Sequence, residues 1–265
     1  MPTNSTIIEK NSMARNEYFY IAPENCPRTD EESVGKELLL RGEEHRHLSK
    51  VLRHTAGEQV FATAGDGRIF DCKITGIEKD CSRLVIREIE LERGEPSFRL
   101  VIAQAIPKIN RFEWFLEKVV EIGAFEIWPM QTRFTEVFPK KMKVDRWQKI
   151  RIAAMKQSGR SRLPELKPLQ SFDEIIRASE KFDLRWIAHT PIPEIAKNRA
   201  QQFEFKNVKT GLLLVGPEGG FCEQEIQQAI EAGISFIELG PTRLRSETAG
   251  IVASSIILNH YCAKD

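Results

Sequence analysis

The first third of the chain alternates polar breaks with short stretches of β-branched and aromatic residues, which are typical of strands. These stretches cover residues 17–22, 37–41, 59–64, 68–77 and 83–91. Residues 43–54 interrupt them with apolar positions on one face of a helix. The step Gly65-Asp66-Gly67 between two of the strands is typical of a hairpin turn. Several short strands with one helix predict a small β-barrel.

After Pro96 the pattern changes to strands that alternate with longer amphipathic stretches. We predict strands at 99–106, 125–130, 184–189, 211–215 and 234–239, and helices at 110–122, 145–157, 223–232 and 246–262. Asn110 is the expected cap of the first of these helices. Ser171 and Glu174 have the spacing of a capping box, which predicts a further helix. Such alternation predicts an α/β domain with a largely parallel sheet and helices on both faces.

The run Arg93-Gly94-Glu95-Pro96 breaks both patterns and marks the expected domain boundary. We therefore predict a β-barrel domain at 15–93 and an α/β domain at 94–265, after a polar, disordered tail at 1–14. Ligands of parallel sheets bind beyond the carboxyl ends of the strands. We accordingly expect the chemistry in the loops that follow residues 189, 215 and 239.

Composition narrows the class of protein. The 265 residues carry 39 Lys and Arg against 38 Asp and Glu, so any site for a polyanion must be a local basic patch. No run of about 18 apolar residues predicts a membrane span, and the polar N-terminus predicts no secretory signal. The five cysteines lack C-x-x-C spacing, which is typical of reduced thiols in a cytoplasm. We predict no metal site.

Two glycine loops follow predicted strands of the second domain. The first reads GPEGGF at 216–221, and the second reads LGPTRLRSETA at 239–249. Neither has the spacing of a dinucleotide fingerprint or a Walker phosphate loop. Glu218 would repel a phosphate, so a ligand with hydroxyl groups or positive charge fits better. The alternative for the first loop is a tight strand-to-helix turn without a ligand.

The second loop places cations at the start of a predicted helix. Arg243 and Arg245 oppose the positive end of the helix dipole, whereas Glu247 in the first turn complements it. A local conflict of this kind is expected at functional sites. Ordinary helix packing therefore does not explain the two arginines.

These motifs together resemble those of a known family. The supporting segments are KINRFEWFLEKVVEIG at 108–123, KQSGRSRLPE at 156–165 and RHLSKVLRHTAGE at 46–58. With the two glycine loops, in this order, the chain resembles the ribosomal RNA small subunit methyltransferase E family of SPOUT methyltransferases. The resemblance implies a PUA-like barrel followed by a SPOUT domain with a C-terminal trefoil knot. It also implies S-adenosylmethionine as cofactor and N3-methyluridine in 16S ribosomal RNA as product.

The resemblance also implies which residues form the cofactor site. They lie at the strand end near residue 189 and in the two glycine loops. The expected cofactor contacts are His189, Gly216, Pro217, Glu218, Gly219, Gly220, Leu239, Gly240, Leu244, Thr248 and Ala249. Backbone amides and carbonyls of such loops satisfy an adenine and a ribose without a phosphate clamp. A structural role for a strand-end histidine such as His189 is the alternative.

The implied reaction requires a group that accepts a proton and a group that stabilises negative charge. Uracil N3 carries a proton that must leave as the methyl group arrives, and the negative charge then spreads to the ring oxygens. Arg245 is our candidate for stabilising that charge, and Glu247 for an orienting or base role. A helix-terminal carboxylate paired with an arginine is the alternative for Glu247.

Cations outside the loops are candidates for contacting RNA. They are Arg46, Lys50 and Arg53 in the barrel domain, Arg160 and Arg162 next to Gly159, and Arg243. The expected partner is 16S ribosomal RNA or the small ribosomal subunit, with a homodimer that acts in the cytoplasm and away from membranes. Two alternative functions stay open: a ribose 2′-O-methyltransferase of the same superfamily, and an RNA-binding protein without catalysis. A small-molecule enzyme with a nucleotide cofactor is disfavoured because no phosphate motif is present.

Overall fold

The computed structural model describes residues 17–27, 33–107, 109–135, 143–189 and 208–262. The described residues up to Thr63, with Ile69–Glu90, form a first unit. Ala64–Arg68 and the described residues from Leu91 onward form a second. The change of unit after Glu90 lies slightly before the break that we predicted between 93 and 94. The predicted disordered tail, 1–14, lies outside the described residues.

A five-stranded mixed sheet forms the first unit. In the order β1-β3-β4-β5-β2, its strands are β1 (Tyr18–Tyr20), β2 (Glu37–Arg41), β3 (Gln59–Thr63), β4 (Arg68–Ile77) and β5 (Cys81–Leu91). Strand β1 pairs parallel with β3, and the pairs β2–β5 and β3–β4 are antiparallel. Alternate side chains such as Leu38 and Leu40 are buried with Phe19, Phe70 and Ile86 in one core. The predicted small β domain is confirmed, and its period of two explains which face is buried.

The helical stretch of the first unit is shorter than predicted. A short helix, α1 (Gly42–Arg46), continues into a π-helical turn at His47–Val51. The N–H of Leu52 donates to the His47 carbonyl, and Arg53 then adopts a left-handed conformation with φ 58°. The prediction of one helix over 43–54 is therefore wrong at its C-terminal end, because the wider turn and the left-handed residue stop it early.

A parallel sheet forms the centre of the second unit. Its strands are β6 (Arg99–Ala105), β7 (Glu126–Gln131), β8 (Glu165–Leu166), β9 (Gln170–Ser171), β10 (Leu184–Ala188), β11 (Thr210–Val215) and β12 (Ser235–Ile237). The order is β12-β10-β11-β6-β7-β8, and β9 also pairs with β7. The pairs within this sheet are parallel. The predicted parallel sheet is confirmed.

Five helices are described in the second unit. They are α2 (Ile109–Ile122), α3 (Val144–Ser158), α4 (Phe172–Ser179), α5 (Glu223–Glu231) and α6 (Ser246–Cys262). The capping box of Ser171 and Glu174 opens α4 as predicted. Helix α2 begins at Ile109, so Asn110 lies within its first turn and the prediction that it caps the helix is wrong. None of the described helices is long and apolar enough to cross a membrane.

Helices cover both faces of the parallel sheet. Val101 and Ala103 of β6 share a core with Ile175 of α4. Gln104 follows Ala103 directly in β6, so its side chain points to the opposite face of the sheet. There its amide donates to Ser246 of α6. Helix α6 approaches closely because residue 250 is glycine, and an added Cβ there would clash with the side chain of Gln104. The prediction of a two-sided α/β domain is confirmed.

The register of the sheet brings three strand ends to one level. Ala188, the last residue of β10, pairs with Val215 at the end of β11 and with Ile237 at the end of β12. The segments that follow these strands therefore begin at the same edge of the sheet. The trefoil knot implied by the resemblance stays a prediction, because residues 190–207 between β10 and β11 lie outside the described residues.

An ion pair of Arg160 with Glu95 is buried in the second unit. The two side chains are 3% and 6% exposed, and Arg160 Nη2 lies 2.6 Å from Glu95 Oε2. Arg160 Nη1 also donates to the Val120 carbonyl. The prediction that Arg160 contacts RNA is therefore wrong, because its guanidinium is enclosed and already bonded.

Replacing the acidic partner tests the structural role of this pair. We expect Glu95→Ala to lower the free energy of unfolding by about 3 kcal/mol, because it leaves the Arg160 charge buried and unpaired. Glu113→Ala is the matched control. It releases Arg146, which is 63% exposed, and should cost less than about 1 kcal/mol. Urea unfolding measures both variants, and similar losses would contradict a special role for the buried pair.

Candidate active site

A cavity of about 510 Å³ lies at the level edge where β10, β11 and β12 end. Its walls come from the ends of the three strands, from the two glycine loops and from the start of α6. The lining residues are Ala188, His189, Val215, Gly216, Pro217, Glu218, Gly219, Gly220, Ile237, Glu238, Leu239, Gly240, Pro241, Thr242, Arg243, Leu244, Ser246 and Ala249. The volume falls within the range of small-molecule sites, about 300–1,000 Å³.

The cavity gathers almost all the residues predicted to contact a cofactor. His189, the whole run from Gly216 to Gly220, Leu239, Gly240, Leu244 and Ala249 line it, whereas Thr248 does not. Sequence reasoning missed the apolar strand ends Ala188, Val215 and Ile237. Their position directly before the predicted loops was the available signal. Whether these residues bind a cofactor stays a prediction.

Glycine is required at several points of the cavity wall. An added Cβ at Gly216 would lie 2.9 Å from the Phe221 ring. Gly220 and Gly240 have φ values of 75° and 103°, which residues with a side chain rarely adopt. An added Cβ at Gly219 would lie 3.0 Å from the Cβ of Phe134, which is a tight contact. The glycines thus give both loops their tight turns and bring backbone groups to the cavity surface.

A chain of hydrogen bonds holds the first glycine loop against the sheet and the helix. Gln104 Nε2 of β6 donates to Ser246 Oγ at 2.8 Å. The Ser246 hydroxyl in turn donates to the carbonyl of Gly216. All three groups are buried. The chain therefore fixes the end of β11 and the start of α6 relative to each other.

The second loop is tied to the first across the cavity. Arg243 Nη2 donates to the backbone carbonyl of Glu218 at 3.0 Å. Glu218 and Glu238 are both lining residues, and the carboxylate of Glu218 accepts a hydrogen bond from Arg111. Within the described ranges, no three His, Cys, Asp or Glu side chains come together as a possible metal site.

Two family models match the chain. One is described as an RNA methyltransferase domain and matches residues 94–258, and the other is described as an RNA methyltransferase PUA domain and matches 40–86. The ribosomal RNA small subunit methyltransferase E of Bacillus subtilis (strain 168) is 30% identical over 225 residues. That alignment covers 82% of this chain and 88% of the relative. The chain belongs to the ribosomal RNA small subunit methyltransferase E family.

Further members of this methyltransferase E family match the chain in sequence and in fold. The protein of the same name from Mesomycoplasma hyopneumoniae (strain 232) is 35% identical over 177 residues, which cover 65% of this chain and 72% of that protein. A crystal structure of the Neisseria gonorrhoeae ribosomal RNA small subunit methyltransferase E, bound to S-adenosyl methionine, has a TM-score of 0.77 at 29% identity. The match covers 94% of this chain and 99% of that one. The two units are thus the PUA-like and SPOUT domains of the family.

The two predicted catalytic residues of this methyltransferase E family member flank the cavity but do not line it. Arg245 is exposed just before α6, and the described part of the chain records no ion pair or hydrogen bond for its guanidinium. Glu247 lies in the first turn of α6 with a buried side chain, and its Oε1 is 3.7 Å from Arg111 Nε. Arg245 is therefore available to a substrate, whereas the burial of Glu247 favours an orienting role over a base role.

Arg160 is enclosed, and Arg243 donates to the Glu218 carbonyl. The other four predicted RNA contacts of this methyltransferase E family member fall into two groups. Arg46, Lys50 and Arg53 are exposed in the first unit. No ion pair is recorded for them among the described residues. Arg162 instead donates to the carboxylate of Glu92, and its guanidinium holds the pKa of that carboxyl below its usual range. The first group is open to phosphates, whereas Arg162 would have to share its charge with Glu92.

Removing the Ser246 hydroxyl tests whether it links the loop and the helix. We expect Ser246→Ala to lower the free energy of unfolding by about 1–2 kcal/mol, because it leaves the Gly216 carbonyl and a Gln104 amide hydrogen without partners. Ser254→Ala in the same helix is the control, since the Ser254 hydroxyl donates only to the Gly250 carbonyl one turn earlier. Chemical unfolding compares the two variants. A smaller loss for Ser246→Ala than for the control would contradict the link.

Proposed function

We propose that this chain transfers the methyl group of S-adenosylmethionine to N3 of a uridine in 16S ribosomal RNA. The observation that carries the proposal is the cavity at the level ends of β10, β11 and β12, walled by two glycine loops. It occurs in a chain of the methyltransferase E family, whose Neisseria gonorrhoeae relative has been crystallised with S-adenosyl methionine.

The residues of the cavity fit the chemistry of this cofactor. Leu239, Leu244 and Ile237 offer apolar surface for an adenine ring, and the glycine loops offer backbone groups for adenine and ribose edges. The exposed Glu238 matches the positive charge of a sulfonium or an ammonium group, whereas Glu218 is already paired with Arg111. When bound, the cofactor supplies an electrophilic methyl group.

Residues around the cavity then stabilise the negative charge that develops on the uracil ring. N3 lies on the Watson–Crick edge, so the base must be unpaired or extruded before it can react. In this proposal the exposed Arg245 guanidinium stabilises the negative charge that develops on the ring oxygens as N3 loses its proton. Glu247 orients the start of α6 from its buried position.

Binding of the RNA is assigned to exposed cations. Arg46, Lys50 and Arg53 would contact phosphates from the first unit, and Arg243 from the edge of the cavity. Each neutralised phosphate releases counterions, so binding should weaken steeply as salt rises. Arg162 contributes less to RNA binding in this proposal, because its guanidinium already donates to the carboxylate of Glu92.

The proposal includes a homodimer that acts in the cytoplasm. Trp114 of α2 and Ile256 of α6 are large apolar side chains that are exposed, and the two helices pack against each other. Contiguous exposed apolar patches are typical of surfaces that a second chain covers, and in this proposal the two side chains belong to such a patch.

Nucleoside analysis tests the proposed reaction. The wild-type chain is incubated with S-adenosylmethionine and either naked 16S RNA or small ribosomal subunits that lack the modification, and the digested nucleosides are separated by mass spectrometry. We expect a methylated uridine whose methyl group remains on the base after the glycosidic bond is cleaved. A methyl group on the ribose would support the 2′-O-methyltransferase instead, and no transfer to either substrate would contradict the proposal.

Replacing Arg245 tests its role in the methyl transfer. We expect Arg245→Ala to lower kcat at least about 100-fold, because the charge on the uracil loses its stabilising cation. The affinity for S-adenosylmethionine should stay within about tenfold, or about 1.4 kcal/mol, since Arg245 does not line the cavity. Arg177→Ala on α4, outside the cavity lining, is the control. Wild-type turnover by Arg245→Ala would remove this residue from the mechanism.

A further inference from the structure

Arg111 of α2 bridges two carboxylates at the edge of the candidate site. Its Nη1 donates to Glu218 Oε1 at 3.0 Å, and its Nε lies 3.7 Å from Glu247 Oε1. Glu218 belongs to the glycine loop that lines the cavity, and Glu247 belongs to the first turn of α6. The Arg111 guanidinium therefore joins the cavity loop to the helix start that follows Arg245.

The burial of Glu247 gives this contact its importance. Its side chain is only 5% exposed, and its Oε2 is buried without a hydrogen-bond partner among the described residues. A buried carboxylate is costly unless a cation or hydrogen bonds compensate it. Within the described residues, Arg111 is the cation recorded beside it. The first turn of α6 thus depends on Arg111 for its charge balance.

The cavity loop, in contrast, is held without Arg111. Ser246 donates to the Gly216 carbonyl, and Arg243 donates to the Glu218 carbonyl. Loss of Arg111 would release the Glu218 side chain but would leave both backbone contacts in place. The two sides of Arg111 should therefore respond differently. The side chains of Glu247 and Arg245 at the helix start lose their fixed positions, while the cavity loop keeps its conformation.

We propose that Arg111 is a positioning residue for the methyl transfer, which neutralises Glu247 and so sets the start of α6 that carries the Arg245 guanidinium against the substrate. This inference rests on the proposed function and adds a residue that has no role in it. A lysine could replace the charge but not the fork, because its single ammonium group cannot serve two carboxylates with separate N–H donors in a fixed geometry.

The test separates turnover from cofactor affinity. Arg111→Met and Arg111→Lys are compared with the wild type for kcat, for KM of the RNA and for the dissociation constant of S-adenosylmethionine by titration calorimetry. All measurements are made at a temperature where thermal unfolding shows each variant to be folded. Arg146→Met is the matched control, since it breaks the pair between Arg146 of α3, which is 63% exposed, and Glu113 of α2.

We expect Arg111→Met to lower kcat at saturating substrates at least about tenfold, while the dissociation constant of S-adenosylmethionine stays within about threefold. Arg111→Lys should recover part of this loss, and Arg146→Met should turn over as the wild type does. If Arg111→Met does not fold, Arg111→Lys carries the test, with a kcat below the wild type and an unchanged cofactor affinity. A kcat within twofold of the wild type in the folded variant would overturn the proposal, as would a cofactor affinity that falls as much as kcat.

A double-mutant cycle checks that Arg111 acts through Glu247. Arg111→Met with Glu247→Gln should lose no more kcat than the worse single variant, because residues that act as a unit are not additive. Losses that multiply would overturn the proposal. The wild type in the same assay reports on the proposed function: no methyl transfer there would refute that function and this role with it. An active wild type with an unaffected Arg111→Met would refute this role alone.

Discussion

The parallel register of β10 with both of its neighbours is the constraint from which the site follows. Ala188 pairs with Val215 on one side and with Ile237 on the other, so three strands end at one level. Side chains of parallel strands repeat every two residues, and a shift by one residue would turn each of them to the opposite face. Burial of Leu212 and Leu214 in the core with α4 and α5 prevents such a shift. The two glycine loops therefore meet around one cavity, although 17 residues, 222–238, lie between them in the sequence.

Hydrogen bonds at this edge of the sheet hold the two glycine loops that form the cavity wall. Gln104 and Ser246 connect β6, α6 and the Gly216 carbonyl, and Arg243 connects the second loop to the first. Gln104, Ser246 and Gly216 are buried, and an unmade hydrogen bond in such a place costs more than a made one contributes. The bond of Arg243 to Glu218 is exposed. These hydrogen bonds restrain the backbone of both loops at the cavity wall.

Most of the strands, the helices and many of the cavity residues could be predicted from the sequence, because periodicity and turn residues are local signals. The α4 capping box and the two glycine loops are examples. The two-residue strands β8 and β9 were not predicted, since they are too short to show a period. Charge pairing could not be predicted in the same way. Arg160 and Arg162 stand two positions apart beside Gly159, but Arg160 is buried with Glu95 whereas Arg162 meets Glu92 at the surface. The ion pairs of Arg111 could not be predicted for the same reason, since its partners Glu218 and Glu247 come from distant parts of the chain.

A crystal structure of this chain soaked or grown with S-adenosylmethionine tests the central claim most directly. The account predicts the cofactor in the cavity, with its adenosine against the backbone of the 216–220 and 239–244 loops and no rearrangement of the strand ends. A cofactor bound elsewhere, or contacts with only one of the two loops, would contradict it.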